Sequence, residues 1–551
     1  MSEIDPISLG VYRDKLVSAC DQMTNTLART SFSPILREGF DLSVGITDRD
    51  GNLVAEATNS LPNFTRFLSQ ATKNIVDEFG ADGVAEGDVI ISNDPWSETT
   101  HQFDMAIIRP VFYDDELVAF TSGMGHLSDI GGRPYTVNAG TTFEEGLVIR
   151  PTKLVRQGEM DDTIAEIIRA NVRVPNEVMG DIKAFMSSTY TGNEAIHEFL
   201  DDHNVDFKRV SEELIDVSAA TTADAIEELP DGRYEESVEI DGMDGPITIA
   251  CAITIDGRSL EVDYAGTDDQ VPYSINVPKL YTDAYTSYAV KCVTAPETRE
   301  NDGDFRPITV KAPKGSILNA QYPAAIAGRA LIGHHCATVT MQVLSHVAPE
   351  RVMAAPGMTM TSQINVEVPG EETYSEMMFN AGGAGATALK DGEPTLSLPT
   401  NTASISLESL ESKTGNLRFL EKRLRQDSGG PGRFQGGPGQ VIRLKNAADH
   451  EITFNFLGRL GKYPLDGVAG GESGAAQSVS IDEEPVPVKS ERSVPSGGII
   501  EYREGGGAGF GDPADREHER IREDIRAGYI SKEFAERHYN FVADERSPRN
   551  H

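Results

Sequence analysis

The stretch from Ile91 to Gly132, ISNDPWSETTHQFDMAIIRPVFYDDELVAFTSGMGHLSDIGG, constrains the fold more than any other. At its centre two apolar runs, MAIIRPVF and ELVAFTS, flank the turn Tyr113-Asp114-Asp115. That pattern predicts a strand–turn–strand hairpin. A His-x-x-Asp unit stands at each outer end, His101 with Asp104 and His126 with Asp129. Pairing the strands draws these ends together. Imidazole nitrogens and carboxylate oxygens converging there suit Zn, Mn, Fe or Co. The first unit follows the turn Asn93-Asp94-Pro95, and the second precedes Ile130-Gly131-Gly132, which permits close packing. Asp41 or Glu38, just ahead of a neighbouring strand, could complete the ligand set. An ion so held acidifies bound water at neutral pH.

Periodicity supplies the rest of the chain. Leu9, Tyr12, Leu16, Cys20, Met23 and Leu27 recur at helical spacing and predict a helix over Ser8 to Thr30. DLSVGITD and NLVAEA read as strands about the turn Arg49-Asp50-Gly51. A helix over Phe67 to Phe79 leads into the strand GDVIISND. After the hairpin, TTFEEGLVIRPTKLVRQGEMDD reads as a loop-rich connection. Helices follow over Asp162 to Asn204 and Phe207 to Glu228. ITIACAITIDGRSLEVDYAGTD predicts a hairpin about Asp256-Gly257. Helices are predicted over Thr282 to Val293 and Arg329 to Val347, with turn residues filling Asn301 to Pro323. Beyond Ala355 the chain turns to Gly, Ser and Thr, with short strands, and ends in a charged helical tail broken at Gly528.

The fold class expected is α+β, multi-domain and rich in antiparallel sheet. At 551 residues the chain is too long for one core and predicts two to four closely associated domains. Composition shifts divide it into a metal-site region 1–155, a helical segment 156–228, a middle α+β region 229–350, a Gly-rich β region 351–511 and a helical tail 512–551.

The formal charge of -38 argues against nucleic acid and against an anionic membrane surface. Acidic residues are spread along most of the chain, as on the solvated surface of a salt-adapted, halophile-like protein. Cys20, Cys251, Cys292 and Cys336 lie far apart, which predicts neither disulfides nor a zinc ribbon. The acidic start MSEIDPISLG carries no signal-peptide pattern, and no apolar run approaches the roughly 18 residues of a membrane span. The cytoplasm is the expected compartment.

Competing chemistries fare worse than the metal site. Three glycine-rich loops, AGGAGATALKDG, DSGGPGRFQGGPG and EGGGAGFGDP, lack the G-x-x-x-x-G-K-[ST] pattern of a phosphate loop. Gly383, Gly385 and Ala388 fit G-x-G-x-x-A, but the turn Asp391-Gly392 leaves no helix to receive a pyrophosphate. These glycines are read as tight turns and close backbone approach in an all-β region. No G-x-S-x-G elbow exists, and Ser428 has an acid neighbour but no local base. His334, His335 and Cys336 fall on a predicted helix, where adjacent side chains diverge by about 100°. They are read as satisfied, packed residues. His197, His203, His346, His450, His518 and His538 are isolated.

Taken together, several motifs resemble the hydantoinase B family, also called N-methylhydantoinase B. The resemblance runs through REGFDLSVGITDRDG (37–51), NDPWSETTHQFDM (93–105), GHLSDIGG (125–132), EEGLVIRPTKL (144–154), DYAGTDDQVPYSIN (263–276), FRPITVKAPKGSILN (305–319), YPAAIAGR (322–329), DSGGPGRFQGGPG (427–439) and GGGAGFGDP (505–513). It implies a B-type subunit working beside a hydantoinase A-type ATPase, in a hetero-oligomer. ATP would then be bound by the partner and not by this chain. Related assemblies include 5-oxoprolinases, lactamases and the acetone and acetophenone carboxylases. The implied chemistry is phosphoryl activation of an amide or carbonyl oxygen on the partner, completed at a divalent-metal site here. Carried over, the family's metal ligands fall on Asp41, His101, Asp104 and His126, with Asp129 orienting an imidazole or adding a ligand. His101, Asp104, His126 and Asp129 are thus the expected catalytic set.

Two departures flank that set. Where the family has an aromatic residue and glycines after Asn-Asp-Pro, this chain reads Trp96-Ser97-Glu98-Thr99-Thr100-His101, a stiffer and more acidic loop. Where the family tends to Pro-Gly-Ser after the second unit, it reads Arg133-Pro134-Tyr135. Hydrolysis of a cyclic amide (hydantoin, 5-oxoproline or lactam) is the leading expectation. Carboxylation of a ketone, or a non-catalytic scaffold for the ATPase, are the alternatives.

Overall fold

The computed structural model describes residues 4–61, 64–133, 135–366, 373–400 and 402–541. Pro134 of the second departure and the end of the charged tail, 542–551, lie outside the described residues.

The first helix runs Pro6–Thr30. Asp5 caps it, accepting from the amides of Ile7 and Ser8 at 3.1 and 3.2 Å, and Pro6 supplies a preset first turn. Its apolar stripe of Leu9, Leu16, Cys20, Met23 and Leu27 is buried, as the spacing predicts.

The predicted hairpin forms from the strands Asp104–Tyr113 and Glu116–His126. Asp114 and Asp115 make the two-residue turn with φ of 52° and 66°, the positive values a tight hairpin needs. The hairpin sits inside a seven-stranded sheet, ordered Leu53–Glu56, Leu42–Asp48, Glu116–His126, Asp104–Tyr113, Val89–Ser92, Thr152–Arg156, Glu159–Met160. The last two strands fall in the stretch expected to be loop. They form an edge hairpin whose short, partly exposed strands carry too little apolar pattern to be seen in sequence.

The central strands are apolar along their length because helices cover both faces. The helix Pro175–His203 packs on one face and Phe64–Phe79 on the other. Gly125 shows how close the cover is: a Cβ there would stand 2.8 Å from the Phe185 ring. Phe64–Phe79 also begins one turn before its predicted start, since Phe64 and Phe67 are both buried.

Three further sheets follow: Ile308–Lys311 beside Ser259–Asp263, Pro246–Asp256 and Gly232–Asp241; a four-stranded sheet built on Met360–Val366; and a five-stranded sheet built on Gln440–Asn446. The fold is α+β. One buried apolar cluster runs from Leu9 to Phe510, and a small separate one holds the tail helices His518–Ala527 and Lys532–His538. The break at Gly528 is a left-handed cap with φ of 78°. All four cysteines are free. Among the described residues no helix is long and apolar enough to cross a membrane.

The Gly-rich region departs from expectation in one way: Leu407–Thr414 is a helix, capped by Ser406. The three glycine loops are extended segments bonded to one another. Gly383 donates to Gly505 O, Gly437 to Ala384 O and Gly507 to Gly437 O, each at 2.9 Å. A Cβ at Gly383 would overlap the Gly437 carbonyl. Close backbone approach is therefore the reason for glycine, as read from the sequence.

Candidate metal centre

The hairpin register sets Asp104 directly opposite His126. His101 arrives from the preceding loop, three residues upstream. Its Nε2 lies 2.8 Å from Asp104 Oδ1, and His126 Nδ1 lies 3.4 Å from the same oxygen. All three side chains are buried.

The loop that carries His101 is clamped by its neighbours. Asn93 donates its side-chain amide to Gln102 O at 2.7 Å and Leu147 O at 2.9 Å, and accepts from the Ile149 amide at 2.6 Å. Thr99 Oγ1 donates to His101 O at 2.9 Å. Thr100, with φ of 68°, turns the chain immediately before His101.

His101 Nδ1 lies 3.2 Å from Ala327 O. A carbonyl only accepts, so Nδ1 carries the proton and Nε2 presents its lone pair. Glu145 fixes that carbonyl's segment, accepting from the Ile326 and Ala327 amides at 2.8 and 2.7 Å. His101 Nε2 and His126 Nε2 are buried and make no aligned hydrogen bond among the described residues. An orphaned buried nitrogen is costly, and a cation between these groups satisfies them together. One ligand atom from each of His101, Asp104 and His126 lies within 4.8 Å of the others. Two imidazoles and a carboxylate at that spacing could hold a divalent metal.

The electrostatics agree with that donor set. Burial, aided by the Arg329 charge, pushes His101 down to about 3, so its imidazole is neutral. Burial works to raise the Asp104 carboxyl, but it is held below the ordinary carboxylate range, with the Arg329 guanidinium as the charge that faces it. Arg329 Nη2 donates to Asp104 Oδ2 and its Nε to Thr100 Oγ1, both at 2.6 Å.

Asp41 faces the same cavity but stands outside the set of ligand atoms within 4.8 Å of one another. Burial raises it to about 6 against the pull of His126. Glu38 points elsewhere: it accepts from Ser409 Oγ at 2.6 Å and the Ser406 amide at 3.1 Å, at the start of the helix Leu407–Thr414. Asp129 is also apart. Its carboxylate takes Arg173 Nη1 at 2.8 Å, the Arg173 amide, and the Gly131 amide at 3.1 Å, and bonds no imidazole among the described residues. An orienting or ligating role for Asp129 therefore has no contact behind it.

The triad lines a cavity of about 60 Å³ together with Tyr135, Tyr281, Tyr285, His334 and Arg459, and the Tyr135 ring lies 5.8 and 6.0 Å from those of His101 and His126. His334 is buried as expected but not satisfied, since neither ring nitrogen has a hydrogen-bond partner among the described residues. Ser428 is structural: its Oγ donates to Arg425 O at 2.6 Å and accepts from the Gly439 amide at 3.0 Å. Glu98 of the acidic loop is buried and pushed up to about 7 by desolvation. Trp96 in the same loop meets Tyr322 edge-on at 5.9 Å between ring centres, beside exposed Phe143.

Arg329 and Arg459 were missed as site residues. Both sit more than a hundred residues from the hairpin. The available signal was an arginine bordering an apolar helix or strand, which demands a buried partner without naming it.

A long α+β chain with a buried His/Asp cluster on a central hairpin is the class these features define. The chain belongs to the Hydantoinase B/oxoprolinase family, whose sequence model matches residues 5–513. It is 30% identical over 578 residues to the caprolactamase subunit beta of Pseudomonas jessenii, covering 99% of this chain and 97% of that one. It is 28% identical over 496 residues to a 5-oxoprolinase of Dictyostelium discoideum, covering 86% of this chain but 37% of that longer protein. Among solved structures, the ATP-dependent caprolactamase of Pseudomonas jessenii superposes with a TM-score of 0.90 at 28% identity, over 99% of this chain and 97% of that one. The nucleotide-free acetone carboxylase superposes with a TM-score of 0.90 at 18% identity, over 98% of this chain and 80% of that one, a likeness of fold alone.

Proposed function

We propose that this chain is the B-type subunit of an ATP-dependent cyclic amidase. It completes the opening of a hydantoin, 5-oxoproline or lactam ring whose amide oxygen an A-type ATPase partner has phosphorylated. The observation that carries this reading is the buried cluster of His101, Asp104 and His126, with two orphaned imidazole nitrogens, in a chain similar along its length to a caprolactamase subunit.

His101, Asp104 and His126 are assigned as ligands of a divalent ion of the Zn, Mn, Fe or Co kind, and Asp41 as a fourth donor facing the same cavity. Such an ion supplies an acidified water and polarises a carbonyl oxygen. The protein's own groups do the rest. Ala327 O fixes the His101 tautomer, and Arg329 keeps Asp104 ionised and aimed. Tyr135 and the two tyrosines Tyr281 and Tyr285 wall the cavity from water. Asp129, bound to Arg173, fixes the chain beyond the hairpin and takes no part in the chemistry.

The ATP step is assigned to the partner because this sequence has no phosphate loop and its glycine segments are bonded to one another. The test is a substrate panel with the co-purified partner, following ATP hydrolysis and ring opening with and without bicarbonate. Ring opening independent of bicarbonate supports the amidase. Bicarbonate-dependent turnover of a ketone would replace it with a carboxylase. Full activity in His101→Ala without bound metal would reduce this chain to a scaffold.

A further inference from the structure

The rest of the triad's cavity has a chemistry of its own. Arg459 is 3% exposed, and no carboxylate pairs with it among the described residues. Its Nε donates to Ala330 O at 3.2 Å and its Nη1 to Thr359 O, while Nη2 has no hydrogen bond among the described residues. The nearby Glu504 is buried, accepts from Gln477 Nε2 at 3.1 Å, and is pushed well above the usual carboxylate range by desolvation. It makes no ion pair or hydrogen bond with the guanidinium among the described residues. A buried charge without a counter-charge is expensive unless something else supplies one.

His334 stands beside it, fully buried, with both ring nitrogens unpartnered and its ring 4.9 Å from that of Tyr285. Burial, together with Arg459, keeps it neutral, so it offers one N–H donor. The Tyr135 ring faces the same space. The helix Ala330–Leu344 also opens here, since Arg329 and Ala330 at its start both line the cavity. A guanidinium with a free Nη2, an imidazole N–H and a phenol thus line one small cavity, and the Asp104 carboxylate that shares it is already taken by Arg329.

We infer that Arg459 and His334 form an oxyanion subsite that holds the phosphoryl group of the activated substrate, in the cavity shared with His101, Asp104 and His126. This rests on the amidase reading above, in which the guest arrives phosphorylated. It adds that the cavity selects its guest by charge. A neutral ring amide offers nothing to balance Arg459, whereas its O-phosphorylated form does. A carboxylate shares part of this chemistry and is the alternative guest.

The test uses the full chain stripped of metal, so that phosphate has no ion to bind, with orthophosphate and acetate as probes in calorimetric titrations. Saturable orthophosphate binding, stronger than acetate, is expected. Arg459→Lys should weaken it at least about tenfold, the loss that goes with a charge-assisted hydrogen bond. His334→Gln and Tyr135→Phe should each weaken it by about three- to tenfold. Thermal melts check that each variant folds; if Arg459→Lys does not, the other two carry the test. Absent binding, or binding unchanged in folded variants, overturns the subsite. Preference for acetate overturns the phosphoryl assignment. A complex that opens a cyclic amide while phosphate neither binds nor inhibits leaves the amidase and removes the subsite. Arg459-dependent phosphate binding with no amide turned over does the reverse.

Discussion

The hairpin cavity and the glycine junction are both buried, yet they are built from opposite materials. At the cavity, side chains from distant segments converge on a shared space, some held by partners, as Asp104 is by Arg329, and some, as His334, left with polar atoms unmatched. At the junction, segments around Gly383, Gly437 and Gly507 meet backbone to backbone, with no room for a side chain. The first arrangement makes chemistry possible and tolerates some loss of packing. The second makes the fold possible and tolerates almost nothing. Damage to the two regions should therefore separate: one loses metal and activity, the other loses the fold.

The largest effect is expected at the junction. Gly383→Ala drives a methyl into the Gly437 carbonyl. It should cost more than about 4 kcal/mol, beyond the usual range for one substitution, and be read as insoluble or unfolded protein. A soluble variant with a normal melting temperature would break the comparison. His101→Ala should behave differently. Bound metal should fall from stoichiometric to trace, with ring opening by the complex reduced at least about a thousandfold. Stability should fall by only about 1–2 kcal/mol in the metal-free chain, for one lost hydrogen bond and a small cavity. Elemental analysis and a urea titration separate the two losses.

Glu98 sharpens the picture with pH. Its carboxyl is raised from 4.5 to about 7, chiefly by burial. Across that window the folded chain keeps a proton that the unfolded chain has released, so stability falls as pH rises and levels off above it. Glu98→Gln should remove its own share of this slope, leaving that of Glu145, Glu300 and Glu376, and stabilise the chain at pH 8 by about 1–3 kcal/mol, seen by denaturant titration at pH 5 and pH 8. The smallest effect is at Glu38. Losing its contacts to Ser406 and Ser409 should cost about 1 kcal/mol, and metal content should not change. A metal loss in Glu38→Ala would return Glu38 to the site.

The sequence carried the hairpin and its ends because their signals are local. Alternating or continuous apolar runs define the strands, and pairing them leaves Asp104 facing His126 whatever the rest of the chain does. Periodicity likewise placed Pro6–Thr30, Phe207–Glu227 and Ala330–Leu344 to within a few residues. What it did not carry was long-range. Nothing near residue 129 says that Arg173 will claim Asp129, and nothing near residue 38 says that a helix at Leu407 needs its carboxylate. Arg329 and Ala327 serve His101 and Asp104 across more than two hundred residues. The glycine loops were legible in purpose but not in partner, because glycine announces proximity without saying to what. His334 was read as satisfied because buried histidines usually are; only the geometry of its surroundings shows the contrary.

Trp96 is the chain's one tryptophan, and it sits five residues before His101, edge-on to Tyr322. The protein thus carries its own optical label at the loop leading to the candidate centre. Indole emission reddens as water gains access, so a fluorescence titration with Zn or Mn would follow that loop without any added dye. Among the described residues Trp96 Nε1 is buried without a partner, which makes its emission sensitive to small rearrangements around it.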